Sequence, residues 1–323
     1  MYHLIAVGDT KLDTFVLLDQ ASVQCQLKMP DCLLCLEYGA KIPVSVVDSQ
    51  VAGSAPNVAV GLARQGRKTD VISNMGKDST RDLAVKHLKA EGVATRYLHV
   101  ALNEPSSYSV VLNYKGDRTI LTSHISHVYH LPPHLPHTTW VHVGEMGHGY
   151  ETIYRSIASR ARHNGIKVSV NPGTIQIQER DASLFDLLKE TDVLFVNREE
   201  ARAITGSTSL EIHHLAPALR KLGCQEVVIT DGKHGAYHFD GNAISFCPIF
   251  PGEAVETTGA GDAFATGFIG ARLAGFPCAE GMRWGSVNSA SVVAYVGPTK
   301  GLLSQAQIKA RLQKAKSFKA KTL

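Results

Sequence analysis

Short apolar runs and longer amphipathic stretches alternate along most of this chain, most regularly after residue 139. Trp140–Val143, Lys167–Val170, Val193–Val196 and Val227–Thr230 are runs of strand length. Between them, apolar residues recur at helical spacing in Glu151–Asn164, Ala182–Glu190, Arg198–Thr205 and Leu210–Leu222. Nearer the N-terminus, Leu4–Val7 and Thr69–Ser73 read as strands, Val58–Arg64 and Ser79–Glu91 as helices. A strand without a polar face must be covered on both sides. Strand followed by helix, repeated, therefore predicts an α/β fold with a doubly wound, mainly parallel sheet and helices on both faces.

Two stretches break this rhythm. Residues 12–51 hold short β-prone pieces and no helix, and residues 97–122 alternate like a hairpin. Ser107–Tyr114 leads to a turn at Lys115-Gly116-Asp117, and the chain returns through Thr119–Thr122. The two pieces are expected to fold together as one small β sheet. It would serve as a lid, because ligands of such α/β sheets sit at the carboxyl ends of the parallel strands. With no internal repeat or linker, residues 1–323 are expected to form one domain with a discontinuous lid at about 12–51 and 97–122.

Composition narrows the classes. Of 323 residues, 44% are hydrophobic and 19% charged, as in a folded globular protein. The net charge of +4 is spread thinly except at Lys314, Lys316, Lys319 and Lys321. That tail is expected to be a frayed, solvated C-terminus, with no nucleic-acid or membrane partner. No apolar run approaches the roughly 20 residues of a membrane span. Met1–Asp9 lacks the basic-then-apolar pattern of a signal peptide, so a cytoplasmic location is expected. Six cysteines in this length do not make a disulfide scaffold. Cys32 and Cys35 form a C-x-x-C that suits half a zinc site or a redox pair. No second pair supplies the remaining tetrahedral ligands, so reduced thiols on a strand or turn are expected. The five histidines from His124 to His137 are interrupted by Pro132, Pro133 and Pro136, which bars a helix presenting them together. A polar loop without metal is expected there.

The chemistry concentrates in Glu256-Thr-Thr-Gly-Ala-Gly-Asp262, followed by the small, apolar residues 263–274. A glycine turn running into a helix presents unpaired N–H groups at the positive end of the helix dipole, a ready anion site. Asp262 would place a carboxylate, able to act as a base, in the same spot. An ordinary helix start with a capping Asp carries the same pattern. A second segment, Ala52-Gly53-Ser-Ala-Pro-Asn57-Val-Ala59, opens the first helix, with Gly66 and Gly76 beyond it.

Together these segments resemble the paired signatures of the ribokinase-like (PfkB-type) carbohydrate kinases. The segment at residues 52–59 fits the family's N-terminal pattern at every defined position, and the segment at 256–262 fits its core, Gly-Ala-Gly-Asp. Glu256 stands where the family usually has Asp, and Thr266 where a smaller residue is usual. Further features fall in family order: Gly8 and Asp13, Gly76-Lys-Asp78, Glu91-Gly-Val93, Asn171-Pro172, Asn197-Arg-Glu-Glu200 and Thr230-Asp-Gly232-Lys-x-Gly235. The resemblance spans nearly the whole chain and is weakest over residues 19–50, where the lid is long.

The resemblance implies a ribokinase-like fold and transfer of the γ-phosphoryl of ATP to a hydroxyl, expected to be a primary alcohol, of a sugar or sugar derivative. It implies Asp262 as the base, with Gly259, Ala260 and Gly261 as the anion hole. Asn197 and Glu200 would address Mg²⁺ near the phosphates, Glu200 through water. An N-cap and its N3 partner would look the same. Thr230 and Gly232 would hold nucleotide phosphates and Asn288 would lie near the adenine. Asp13, Gly53 and Asn57 would bind the acceptor, a carboxylate and an amide together satisfying a diol. Arg118 either reaches in from the lid toward an anionic substrate or is solvated, and is not counted in the site. Some family members bind a monovalent cation at the Asp that Glu256 replaces, which leaves that cation open here. A nucleoside kinase is the alternative, with apolar Leu33–Tyr38 offering surface to a base or packing between lid and domain. A non-catalytic sugar or nucleotide sensor is a further one, against which the intact Asp262 and glycine run speak. Lid β sheets can pair across a dimer, so a homodimer through the lid is a further expectation.

Overall fold

The computed structural model describes residues 1–25, 32–115, 117–123 and 125–323. Gly116 of the hairpin turn and His124 of the histidine-rich stretch lie outside the described residues. The chain begins with β1 (Tyr2–Val7), β2 (Lys11–Leu18), β3 (Ser22–Cys25), β4 (Cys32–Cys35) and β5 (Val44–Ala52). It continues through α1 (Ser54–Arg64), β6 (Thr69–Gly76), α2 (Ser79–Ala90), β7 (Ala94–Ala101), β8 (Ser107–Tyr114), β9 (Asp117–Ser123) and β10 (Thr138–Val143). Next come α3 (Glu151–Asn164), β11 (Lys167–Val170), α4 (Thr174–Glu179), α5 (Ala182–Lys189), β12 (Val193–Asn197), α6 (Arg198–Thr205), α7 (Ile212–Lys221) and β13 (Glu226–Thr230). A 3-10 turn at Gly232–His234 leads to β14 (Ala236–Phe239), β15 (Ile244–Cys247), α8 (Ala260–Leu273), α9 (Cys278–Val292), α10 (Gln305–Lys314) and β16 (Lys321–Thr322).

Ten strands form the main sheet, in the order β16-β15-β14-β13-β12-β11-β10-β1-β6-β7. From β13 to β7 every pairing is parallel, and β14, β15 and β16 add an antiparallel edge. Alternate residues of β1 explain the unbroken apolar runs. Leu4 and Ala6 enter one core with Val58, Leu62 and Phe268, while Ile5 and Val7 enter the other with Ile153, Leu184 and Leu219. Burial on both faces requires apolar residues at every position. Helix α8 is buried along Ala263–Ala271, so it lacks a polar stripe. The unusual Thr266 finds room against Gly61, where a Cβ would stand 2.4 Å from the Thr266 methyl.

A separate four-stranded sheet, β5-β2-β8-β9, lies over the carboxyl ends of the parallel strands. Its pieces differ from the sequence reading in two ways. Residues 97–101 belong to β7 at the edge of the main sheet, not to the lid. Strands β3 and β4 form their own hairpin, and Leu34 packs it against Val16, Leu18 and Leu112 of the four-stranded sheet. Cys32 is not a reduced thiol: a disulfide joins it to Cys25 across this hairpin, and Cys35 remains free. Cys25 and Cys32 meet only because β3 and β4 pair, and spacing along the sequence carries no sign of that pairing. The C-terminus is not frayed either, since Lys321 and Thr322 pair with β15, although the tail lysines are exposed. Among the described residues no helix is long and apolar enough to cross a membrane.

Candidate active site

A cleft of about 570 Å³ opens between the four-stranded sheet and the ends of β10, β11, β12 and β13. Asp262 in the first turn of α8 and Asn57 in the first turn of α1 meet in it. Asn57 Nδ2 donates to Asp262 Oδ2 at 2.7 Å. Gly259 caps α8 with φ 76°, and a Cβ there would fall 2.5 Å from Pro298 Cβ, so the turn needs glycine. Gly53 caps α1 at φ 119°, with the Asp9 carbonyl 2.2 Å from where a Cβ would sit. The first turn of α8 leaves the Gly261 and Asp262 N–H groups without a backbone partner among the described residues. The Ala260 N–H, by contrast, donates to the Thr257 carbonyl at 3.2 Å. One of the three N–H donors expected there is therefore spent inside the turn.

Asn197 and Glu200 close the far side of the cleft as a reciprocal capping box on α6. Glu200 N–H donates to Asn197 Oδ1, and Asn197 N–H to Glu200 Oε2, both at 2.8 Å. The cap and the cleft position coexist, since both residues also line the cavity. A second, mostly apolar cavity of about 280 Å³ adjoins the first, walled by Ile249, Phe250, Phe264 and Val293. Thr230, Gly232, Thr257, Ala260 and Gly261 line both. A group held at the start of α8 thus touches both chambers.

Buried carboxylates dominate the electrostatics. Removal from water raises the pKa of Asp262, although the hydrogen bond from Asn57 opposes this and the charge of Glu145 adds to it. Glu200 is raised for the same reason, aided by the charges of Asp262 and Glu145. Burial pushes Asp13 up to about 6, against the pull of Lys11. Burial alone would lower Lys11, but Glu145 and Asp13 outweigh it and raise its pKa. Lys11 Nζ meets Glu145 Oε1 at 2.7 Å on the cleft wall. Three buried polar atoms here, Asp13 Oδ1, Ser54 Oγ and Asn57 Oδ1, have no hydrogen-bond partner among the described residues. Unsatisfied polar atoms are costly in a protein interior and mark a place for polar ligand groups.

The structure brings Asp13, Gly53, Asn57, Asn197, Glu200, Thr230, Gly232, Gly259, Ala260, Gly261 and Asp262 to one cleft. Asn288 stands apart. It is fully buried, donating to the Ala263 carbonyl at 2.7 Å and accepting from Leu303 N–H at 2.9 Å, so its amide is consumed in joining α9 to its neighbours. Ser286, Ser289 and Ala290 of the same helix line the apolar cavity instead. Leu33, Leu36 and Tyr38 neither line the cleft nor pack between lid and domain; they are exposed. Sequence reasoning missed Lys11, Ser54 and Glu145. Lys11 and Glu145 are 134 residues apart, so only the fold pairs them. Ser54 was legible, lying inside the quoted motif. Arg118 does reach the cleft.

The histidine-rich stretch shows buried His127 meeting Glu104 at 2.5 Å and the His130 ring packed at a tilt against His99. Among the described residues, one group of three potential metal ligands converges closely: Glu226, His238 and Cys278. Arg272 donates to Cys278 Sγ at 2.8 Å and lies 3.4 Å from Glu226, a fixed cation where a metal would sit.

A buried carboxylate beside unpaired helix N–H groups, at the edge of a polar chamber that adjoins an apolar one, suits phosphoryl transfer to an alcohol. The pattern of the pfkB family carbohydrate kinases matches residues 14–305, and the chain belongs to that family. It is 26% identical over 294 residues to a 5-dehydro-2-deoxygluconokinase of Clostridium perfringens, covering 82% of this chain and 85% of that protein. It is 25% identical over 303 residues to a cytidine kinase of Thermococcus kodakarensis, covering 88% and 94%. The fold superposes on Arabidopsis thaliana ribokinase complexed with ribose and ATP, with a TM-score of 0.76, 20% identity and coverage of 97% and 99%.

Proposed function

We propose that this chain moves the γ-phosphoryl of ATP onto a hydroxyl, a primary alcohol, of a sugar or sugar derivative. One observation carries the reading: Asp262, held by Asn57, faces the polar cleft directly after Ala260 and Gly261, which line both the cleft and the apolar cavity at the start of α8. The apolar cavity takes the adenine and the junction takes the phosphates. Asp13, Asn57 and Ser54, with their unsatisfied atoms, hold the acceptor hydroxyls. Asp262 accepts the hydroxyl proton as the oxygen bonds to the γ-phosphorus, and the bond to ADP breaks. The N–H groups of Gly261 and Asp262 stabilise the charge on the transferring group.

Mg²⁺ fits the acidic wall formed by Glu200, Glu145 and Asp262; burial raises the pKa of Glu200 and of Asp262, and the charge of Glu145 adds to both. These carboxylates do not converge into a cage. The ion would therefore be held chiefly by phosphates and water, with Glu200 behind the water, and would neutralise phosphate charge. The work would take place in the cytoplasm, although the Cys25–Cys32 disulfide is more usual outside it. A nucleoside acceptor is the second reading. Ile120 supports it, lining the cleft from the lid while 42% exposed, as a base-stacking surface would. Leu17, also 42% exposed, extends the same face and supports pairing of two lids in a homodimer.

Coupled ATP turnover with Mg²⁺ against pentoses, hexoses, sugar acids, sugar phosphates and nucleosides tests the reading. Turnover with a sugar is expected. Turnover with nucleosides alone would replace it by the second reading, and ATP binding without any turnover would speak for a sensor.

A further inference from the structure

Glu256 is 6% exposed and lies three residues before Gly259, at the start of the loop that leads into α8. A buried carboxylate there is out of keeping with a site for phosphates, whose negative charge it would repel. Something must offset it. Its Oε1 accepts from the Thr258 N–H at 2.7 Å and the Thr258 hydroxyl at 2.6 Å, and its Oε2 faces the Gly297 N–H at 3.5 Å. These hydrogen bonds hold the loop but bring no charge. The charge comes from the lid: Arg118 on β9 places Nε 3.8 Å from Glu256 Oε1 and donates through Nη1 to the Thr257 hydroxyl. Thr257 lines both chambers.

The surroundings of Glu256 do not suit a monovalent cation. They are N–H and O–H donors together with a permanent cation, which is the coordination of an anion rather than of potassium. We propose that Arg118 is the fixed counter-charge of Glu256 and a positioning residue for the anion hole. The lid thereby supplies what a dissolved monovalent cation would supply to an acidic residue at this place. Phosphoryl transfer becomes independent of potassium, and the loop 257–261 is set only while the lid is down. This rests on the kinase reading of the same cleft.

Two measurements on the full-length protein test it. Turnover is compared in potassium chloride and tetramethylammonium chloride at equal ionic strength, for wild type, Arg118→Lys and Arg118→Met. Wild type is expected to show equal kcat in both salts. Arg118→Met should lose about tenfold or more in kcat and regain part of it in potassium alone, with Arg118→Lys between. Melting temperature in the same salts gives a reading that needs no acceptor. Wild type should melt alike in both, whereas Arg118→Met, with Glu256 uncompensated, should melt higher in potassium. A wild type that requires potassium, or is stabilised by it, would overturn the proposal, as would an Arg118→Met variant indifferent to potassium in both measurements. If no acceptor is turned over, the kinase reading fails, while the melting comparison still decides the role of Arg118.

Discussion

Asp13 shows how burial sets chemistry at a single residue. Its carboxyl is pushed up to about 6 by removal from water, against the 3.8 of an exposed aspartate. Between those values the folded protein holds a proton that the unfolded chain has released. The contribution of Asp13 to stability is therefore fully present below about 3.8 and is lost as pH rises through about 6. Its role in binding runs the other way, because only the ionised form accepts two hydroxyl hydrogen bonds. Acceptor KM is expected to rise as pH falls through about 6 in wild type and to be flat there in Asp13→Asn. A wild-type KM that ignores pH across this window would remove Asp13 from the acceptor site. The resemblance to the family made Asp13, Asn57 and Asp262 legible, because the short patterns that carry it are local properties of the chain. Lys11 and Glu145 were not legible, since a lysine opening a strand, or a glutamate in the loop after one, gains meaning only from what the fold sets against it.

At the scale of the element, α6 separates two roles held by one side chain. Glu200 completes the capping box with Asn197 and also faces the acidic wall of the cleft. Glutamine at N3 can keep the cap without the charge. Glu200→Gln is thus expected to leave the melting temperature unchanged while raising the Mg²⁺ concentration needed for half-maximal activity. Glu200→Ala should in addition cost about 1 kcal/mol of stability in denaturant titration. An unaltered Mg²⁺ titration in Glu200→Gln would leave the residue as a cap alone. Helices 151–164 and 198–205 were legible to the residue, because amphipathic spacing and a polar start fix both ends. The β3–β4 hairpin was not, as it is too short and exposed to carry a hydrophobic pattern. The antiparallel edge β14–β16 escaped for a related reason: each strand is four residues or fewer, and pairing rather than sequence pattern defines it. Asn288 illustrates a different failure, a polar residue on a helix whose neighbours line the cavity while it ties the helix to the core.

For the molecule as a whole, the parallel sheet provides a rigid floor and the four-stranded sheet a cover, a division that the interrupted rhythm of the sequence already carried. Ligand closure by such a cover excludes water and limits wasted hydrolysis. The cover leaves Leu17 and Ile120 exposed on the face that also bears Asp13. Sedimentation is expected to give twice the 34.9 kDa chain mass, and Leu17→Asp to return it to the monomer. A wild-type monomer at micromolar concentration would dismiss pairing through the lid. The central claim is that Asp262 is the base of a phosphoryl transfer in this cleft, and Asp262→Asn tests it most directly. Removing a general base typically costs on the order of 10²–10⁴-fold in rate. ADP formation with the acceptor that wild type uses should fall by that much, with calorimetric ATP affinity and melting temperature nearly unchanged. Turnover within a few-fold of wild type, or loss of ATP binding in a folded variant, would contradict the assignment.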